Sequence, residues 1–314
     1  MKSNSCSLNN FNTIDEQILY ICRNEYCTFL SKANVVGVGL GYKVTHGFCT
    51  KEKCIKVLVS NKLPFNELNS NEIIPKLYKE IKTDVYETGI FKHQLLNTRV
   101  RPTLGGYSIS STTYKEIGSI ACIVIDNLSH YYILSCNHTI AGLNTVQLGT
   151  SIVQPSVLDN GKSPKDLIGS LYKFIPLQFS TSTHLHANYV DAALAIIPDK
   201  SKISKNIYIL GKPRNAINPS LDLSVRKAGR TTNITYGNIT LLGGTITIST
   251  QKGLILYKNQ ILTTKMSSPG DSGSLLMDLN NNSVGLIIGG STTDTVVNPI
   301  SSVLNALNVK IATN

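Results

Sequence analysis

Charge is scarce in this chain of 314 residues: charged residues make up 16% of it, against 41% hydrophobic. Long helical bundles are usually rich in charge, so the low share turns the reading away from them. The many Thr, Ser, Asn, Gly, Ile and Val residues point to β structure instead. No stretch approaches the ~20 apolar residues of a membrane span. The opening MKSNSCSLNNFNT lacks the apolar core of a secretory leader. These two absences lead to the expectation of a cytoplasmic protein without a membrane. The seven cysteines, an odd number, are then expected as reduced thiols. Cys22/Cys27 and Cys49/Cys54 form C-x4-C pairs, but zinc sites usually show C-x2-C spacing with histidines nearby, and only His46 lies close. No metal and no cofactor are expected. The balance is basic, +11, yet no run of five or more basic residues and no nucleic-acid motif accompanies it. A solubilising surface is the reading, and nucleic acid is not an expected partner.

No fixed-period repeat and no low-complexity tail is found. Residues 13 to 32 predict a helix, opened by the capping-box letters Thr13-Ile-Asp-Glu16 and carried by Ile14, Ile18, Cys22 and Tyr26. Strands are expected at 34–44, 55–60 and 83–88, with a polar, helix-compatible stretch after Pro64. This reads as a small α+β domain over residues 1–92. Residues 91–107, with Pro102, Gly105 and Gly106, read as an entry loop. Beyond them come short β-rich runs at 117–125, 131–136, 145–153, 167–175, 190–197, 223–228, 234–250, 253–264, 273–279 and 283–290, separated by Gly, Asn, Asp and Pro. Many short strands with turn signals predict a sandwich or barrels rather than βαβ units. A last segment, 298–307, has Val303, Leu304 and Leu307 at helical spacing after Pro299.

Three segments carry chemistry. In Pro269-Gly-Asp-Ser-Gly-Ser274, Gly270 permits a sharp turn that would present the Ser272 hydroxyl. The Gly270 and Ser272 amides are then candidates for an oxyanion hole. An ordinary Gly-Ser turn has the same letters. In Tyr132-Ile-Leu-Ser-Cys-Asn-His138, an apolar strand ends in a polar turn with a histidine at its edge, which suits a base that must reach solvent and nucleophile. A strand-end surface histidine reads alike. In Val190-Asp191-Ala-Ala-Leu-Ala-Ile-Ile197, a carboxylate opens an apolar run; burial there needs a partner, and an imidazole N–H suits. A capping turn aspartate is the alternative. His184 and His186 are read as loop residues.

Together these segments resemble the three catalytic blocks of the chymotrypsin-like (trypsin-like) serine peptidases. NVVGVGLGYK, IKVLVSNKLP, RVRPTLGGYSI, IVQPSVLDNG, VRKAGRTTNITYG and NPISSVLNAL further resemble a bacterial intracellular branch related to the plant narrow-leaf proteins. The resemblance implies a mainly β protein, a chymotrypsin-like double β-barrel preceded by the small α+β domain. The peptidase domain would span 93–314, with barrel 1 about 105–200, barrel 2 about 205–298 and a C-terminal helix about 299–308. It implies a serine endopeptidase with the triad His138, Asp191, Ser272, and an oxyanion hole of Gly270 and Ser272. The alternative is a peptidase fold kept as a peptide- or partner-binding module. Met266, six residues before the serine, stands at the base of the primary pocket where a preference for Lys or Arg needs an acid. Gly289, Gly290 and Ser291 resemble the strand that pairs with substrate and leaves an open pocket entrance, and a medium apolar residue is the preference expected there. Thr139 stands where many secreted relatives have a disulfide cysteine, and no activation site supplies a new N-terminus for Asp271. Expected partners are a protein or peptide substrate, and a homo-oligomer or regulatory partner reached through the N-terminal domain.

Overall fold

The computed structural model describes residues 11–91, 96–181 and 183–313. They belong to two compact units, Met1–His93 and Gln94–Asn314. In the first, the predicted capping box forms: Glu16 N–H donates to Thr13 Oγ1, and Glu16 Oε2 accepts from the Thr13 amide. The helix it starts is shorter than the sequence predicts, Ile14–Asn24, with a separate turn at Cys27–Leu30, because Glu25 leaves helical geometry between them. Ile18 and Ile21 pack with Phe29 on Ile55, Val57 and Ile81. These last three belong to a four-stranded sheet ordered Val35–Thr45, Phe48–Val59, Ile81–Glu87, Leu77–Tyr78. The strand Phe48–Val59 begins well before Ile55, since its first half is exposed Lys, Glu and Thr with no apolar face to read. After Pro64 only a short turn of helix, Phe65–Glu67, appears.

The second unit is two β systems. In the first, eight strands run in the order Lys310–Ile311, Ile123–Ile125, Tyr131–Ser135, Ala193–Ile196, Leu167–Phe174, Ser151–Val153, Ser108–Ser111, Gly118–Ser119. Gly118–Ser119 and Ile123–Ile125 are consecutive pieces of one segment, so the sheet curls back on itself. In the second, Ser224–Gly229, Asn233–Thr250, Gly253–Thr264, Asp294–Pro299, Asn282–Gly290 and Leu275–Asp278 pair in a closed antiparallel ring. The fold is mainly β, a chymotrypsin-like double β-barrel preceded by a small α+β region. The strand Asp294–Pro299, which closes the ring, was not expected, because Asn298 and Pro299 read as a helix start. The helix itself begins one residue later, Ile300–Leu307.

Strict alternation explains why the strands read as unbroken apolar runs. Ala193, Ala195 and Ile133 fill the first barrel, while Ala192, Leu194, Tyr132 and Leu134 face a cluster shared with the second barrel. Leu276 and Ile287 point into the second barrel; Leu275, Met277, Leu286 and Ile288 point to the shared cluster. Strands buried on both faces have no polar side. The shared cluster therefore fixes one barrel against the other, along the line where the candidate residues meet. Among the described residues, no helix is long and apolar enough to cross a membrane.

A testable consequence concerns the first helix. Thr13→Ala removes one half of the capping box and should cost about 1 kcal/mol locally. Faster amide hydrogen exchange across Ile14–Asn24, with exchange in the barrels unchanged, is the expected result.

Candidate active site

His138 lies on a wide helical turn, Asn137–Ala141, at the end of the strand Tyr131–Ser135. Its neighbours hold the turn. Asn137 donates to Asn144 Oδ1 (2.8 Å) and to the Ile175 carbonyl (2.7 Å), and Asn144 in turn binds the Leu177 backbone at both ends. Thr139, in the position of the missing disulfide cysteine, donates to the Cys136 carbonyl and contacts Ser135 Oγ at 3.1 Å. Hydroxyl bonds thus secure the histidine turn, and the six described cysteines are free.

Asp191 is 2% exposed and fully engaged. Its Oδ2 lies 2.6 Å from His138 Nδ1, and its Oδ1 accepts from the His138 amide at 3.1 Å. Tyr257 donates its hydroxyl to the same carboxylate (3.1 Å), and the Asp191 amide donates to Asn298 Oδ1 (2.6 Å). Asn298 is itself oriented by Gln260, which is anchored on the carbonyls of Tyr189 and Lys258. Tyr257, Gln260 and Asn298 come from the second barrel, so both barrels define where Asp191 points. Burial opposes ionisation of both partners, but the charge and hydrogen bonds of each outweigh it. The His138 pKa is held above its ordinary 6.5 and that of Asp191 below 3.8. Burial, then the Asp191 charge, pushes the Tyr257 phenol far up, so it remains a donor.

Cys136 Sγ, His138 and Asp191 lie within 4.8 Å of one another, the one such grouping of three ligand types among the described residues. It suits hydrogen bonding rather than a metal. The thiol donates to the Ile287 carbonyl, burial raises its pKa well above 9.0, and Nδ1 is spent on the carboxylate.

The turn Pro269–Gly273 has the strained backbone that its glycines predict. Gly270 has φ +99° and Gly273 φ +91°, and a Cβ on Gly273 would strike the Ser119 carbonyl and the Ser135 hydroxyl. Ser119 of the first barrel ties the turn down: its amide donates to the Ser272 carbonyl (2.7 Å) and its hydroxyl to the Gly270 carbonyl (2.9 Å). With those carbonyls held on one side, the Gly270 and Ser272 amides have no acceptor among the described residues. Two free N–H groups on one tight turn are what an oxyanion needs. Ser272 is half-buried, and neither its hydroxyl nor His138 Nε2 has a hydrogen-bond partner among the described residues. The structure therefore joins His138 to Asp191 and leaves the Ser272 hydroxyl unbonded, on a turn near the histidine turn: a Cβ on Gly118 would touch both the Ser272 carbonyl and the Thr139 side chain.

The sequence offered no partner for Asp271; the structure supplies Lys227. Both side chains are 0% exposed and lie 3.4 Å apart. Asp271 also accepts from the Thr231 and Thr232 amides (2.8 and 3.1 Å), the Thr232 hydroxyl (2.7 Å) and the Ser268 amide (2.9 Å). Burial lowers the Lys227 pKa, and the Asp271 charge offsets part of that. An internal cation thus sits where a new N-terminus was missing. Sequence reasoning overlooked it, though Lys227 is two residues from Val225, and period two places both on the barrel-facing side.

The expected pocket residues separate. Met266 is 3% exposed and packs inside the second barrel with Val225, Ile239 and Ile261. Gly290 approaches Ser267, whose hydroxyl bonds Thr295 Oγ1 at 2.9 Å, and a Cβ there would sit 3.3 Å from Ser267 Oγ. Gly289 pairs with Val296, and the Ser291 carbonyl accepts from Lys265. His184 and His186 are exposed loop residues.

No protein-family model matches the chain, and no curated protein matches it. Among solved structures, Thermobifida fusca Protease A is 18% identical over 67% of this chain and 98% of that chain, with a TM-score of 0.49. A glutamic acid specific serine protease, described as using a novel histidine triad in substrate binding, is 20% identical over 67% of this chain and 100% of its own, with a TM-score of 0.49. Cellulomonas bogoriensis chymotrypsin is 20% identical over 67% of this chain and 98% of that chain, with a TM-score of 0.48.

Lys227→Met leaves a buried carboxylate unpaired and should cost about 3–5 kcal/mol in urea unfolding. Adding Asp271→Asn removes that orphaned charge, so the double variant should recover part of the loss. Equal stability of Lys227→Met and the parent protein would show that the pair does not hold the turn.

Proposed function

We propose that the chain is a serine endopeptidase acting through His138, Asp191 and Ser272. The observation that carries this reading is the buried Asp191–His138 pair set beside a glycine turn with two unbonded amides. His138 Nε2 takes the Ser272 proton as Oγ attacks a peptide carbonyl. Asp191 keeps the Nδ1–H tautomer and stabilises the imidazolium, while Tyr257 and Asn298 keep Asp191 in place. The Gly270 and Ser272 amides receive the oxyanion. The imidazolium then protonates the leaving amine, and water, deprotonated by His138, releases the acyl group. The groups present suffice for every proton transfer, so the mechanism calls on no cofactor.

The unbonded Ser272 hydroxyl favours a second reading, a latent or purely partner-binding site. A fluorophosphonate probe separates the two. Labelling of the parent protein that disappears in Ser272→Ala and His138→Ala supports the peptidase; an unlabelled but folded parent supports the binding module. A dedicated protein substrate in the cytoplasm is part of the proposal. The N-terminal unit is assigned the docking, assembly or regulatory role, supported by its apolar cleft of about 290 Å³ lined by Leu63, Phe65, Ile73, Ile74 and Val85.

The pH dependence follows from the signs. A general base must be neutral, and the His138 pKa is raised in the folded protein. Peptidase kcat/KM should therefore rise with pH through a midpoint above 6.5. Asp191, its pKa lowered, stays ionised across that range. A midpoint below 6.5 would contradict the ion-pair assignment.

A further inference from the structure

Beside the imidazole lies a cavity of about 310 Å³. Leu143, Ile248, Ile255 and Ile288 supply apolar lining, and His138, Asp191, Tyr257 and Glu116 line it too. Asp191 is already engaged by His138 and Tyr257, which leaves Glu116 as the lining carboxylate open to a ligand. Glu116 is half-buried, and its carboxylate has neither a hydrogen bond nor an ion pair among the described residues. That is unusual in this unit. The other carboxylates of residues 96–313 are all bonded or paired, except the exposed turn residue Asp222. Glu116 is also near enough to His138 to favour its protonated form. Lys252, at the tip of the long hairpin over this region, gives its ammonium to the Leu143 carbonyl and is not among the cavity's lining residues.

Resting on the peptidase reading, we propose that this cavity is a subsite for a lysine or arginine side chain, with Glu116 as its counter-ion. The apolar walls suit the methylene stem, and the half-buried carboxylate suits the cationic head. The basic residue is the one that precedes the residue bearing the scissile carbonyl. Side chains of an extended peptide alternate between faces. None of residues 265–272 or 289–291 lines this cavity, so it is not assigned to the residue at the scissile carbonyl itself. Of the two neighbours that alternation puts on the opposite face, the proposal takes the one on the acyl side.

The test is a set of fluorogenic peptides identical except at that position, which carries Lys, Arg, norleucine or Glu. With the parent protein, kcat/KM for Lys should exceed that for norleucine by roughly tenfold, the size of a modest, partly desolvated charge pair. Glu116→Gln should bring that ratio close to one, and Glu116→Lys should reverse the preference towards Glu. A Lys-to-norleucine ratio that is the same in all three proteins overturns the proposal. The same peptides titrated into Ser272→Ala by fluorescence anisotropy decide the question without turnover. Tighter binding of the Lys peptide that Glu116→Lys abolishes keeps the subsite even if the chain proves to be no peptidase. Equal binding of Lys and norleucine peptides removes the subsite even if Ser272 labels fully.

Discussion

A carboxylate taken wholly out of water costs several kcal/mol unless the protein replaces every interaction the water made. Asp271 is such a carboxylate, and the turn Pro269–Gly273 is arranged around the replacement. Three backbone amides, one hydroxyl and the Lys227 ammonium converge on it. Each of those bonds constrains a neighbour of Ser272. Because the cation comes from the barrel wall, the constraint exists as soon as the second barrel closes. The positive φ angles of Gly270 and Gly273, open to glycine and costly for other residues, lie in the turn that these bonds anchor.

Asp191 applies the same rule at the boundary between the barrels. Its carboxylate is satisfied by His138 from the first barrel and Tyr257 from the second, and its amide by Asn298 on the ring-closing strand. Ser119 reaches the other way, from the first barrel to the Ser272 turn. The polar links cross a boundary otherwise filled by Leu134, Leu194, Leu275 and Leu286. Burial excludes water from the links, and the links fix the register of the burial. A site built this way is only as rigid as the closure of both sheets.

The sequence makes legible whatever depends on one short segment. The Gly-Asp-Ser-Gly turn, the strand ending at His138 and the apolar run after Asp191 each show a local feature, a glycine turn or a polar group at an apolar edge, that marks them together as candidates although each alone has an ordinary reading. Tyr257, Gln260, Asn298 and Lys227 carry no such mark. Their roles arise from pairing between strands far apart in the chain, which no single segment shows. Periodicity failed for a related reason at both ends of the sheet system. The strand Phe48–Val59 is exposed through its first half, Phe48 included, and so lacks a buried apolar face there, while Asp294–Pro299 hides a buried Asn298 in what looks like a helix cap. Met266 shows the limit of positional analogy. The spacing to Ser272 singles the residue out, while the packing of its side chain with Val225, Ile239 and Ile261 is visible only in three dimensions.

Charge ties the site to its surroundings. The chain carries +11, so its long-range field repels basic ligands and gathers acidic ones. That field is screened within about 8 Å at physiological salt, whereas a half-buried carboxylate acts on whatever enters its cavity. Glu116 beside His138 therefore works against the global sign over a short range only. The two ranges select for different features: the surface for the character of an approaching partner as a whole, the cavity for one side chain next to the reacting bond. If the proposed peptidase reading holds, such a conflict narrows the range of substrates, because a polypeptide satisfying both conditions, acidic overall and basic at one position, is rarer than one satisfying either.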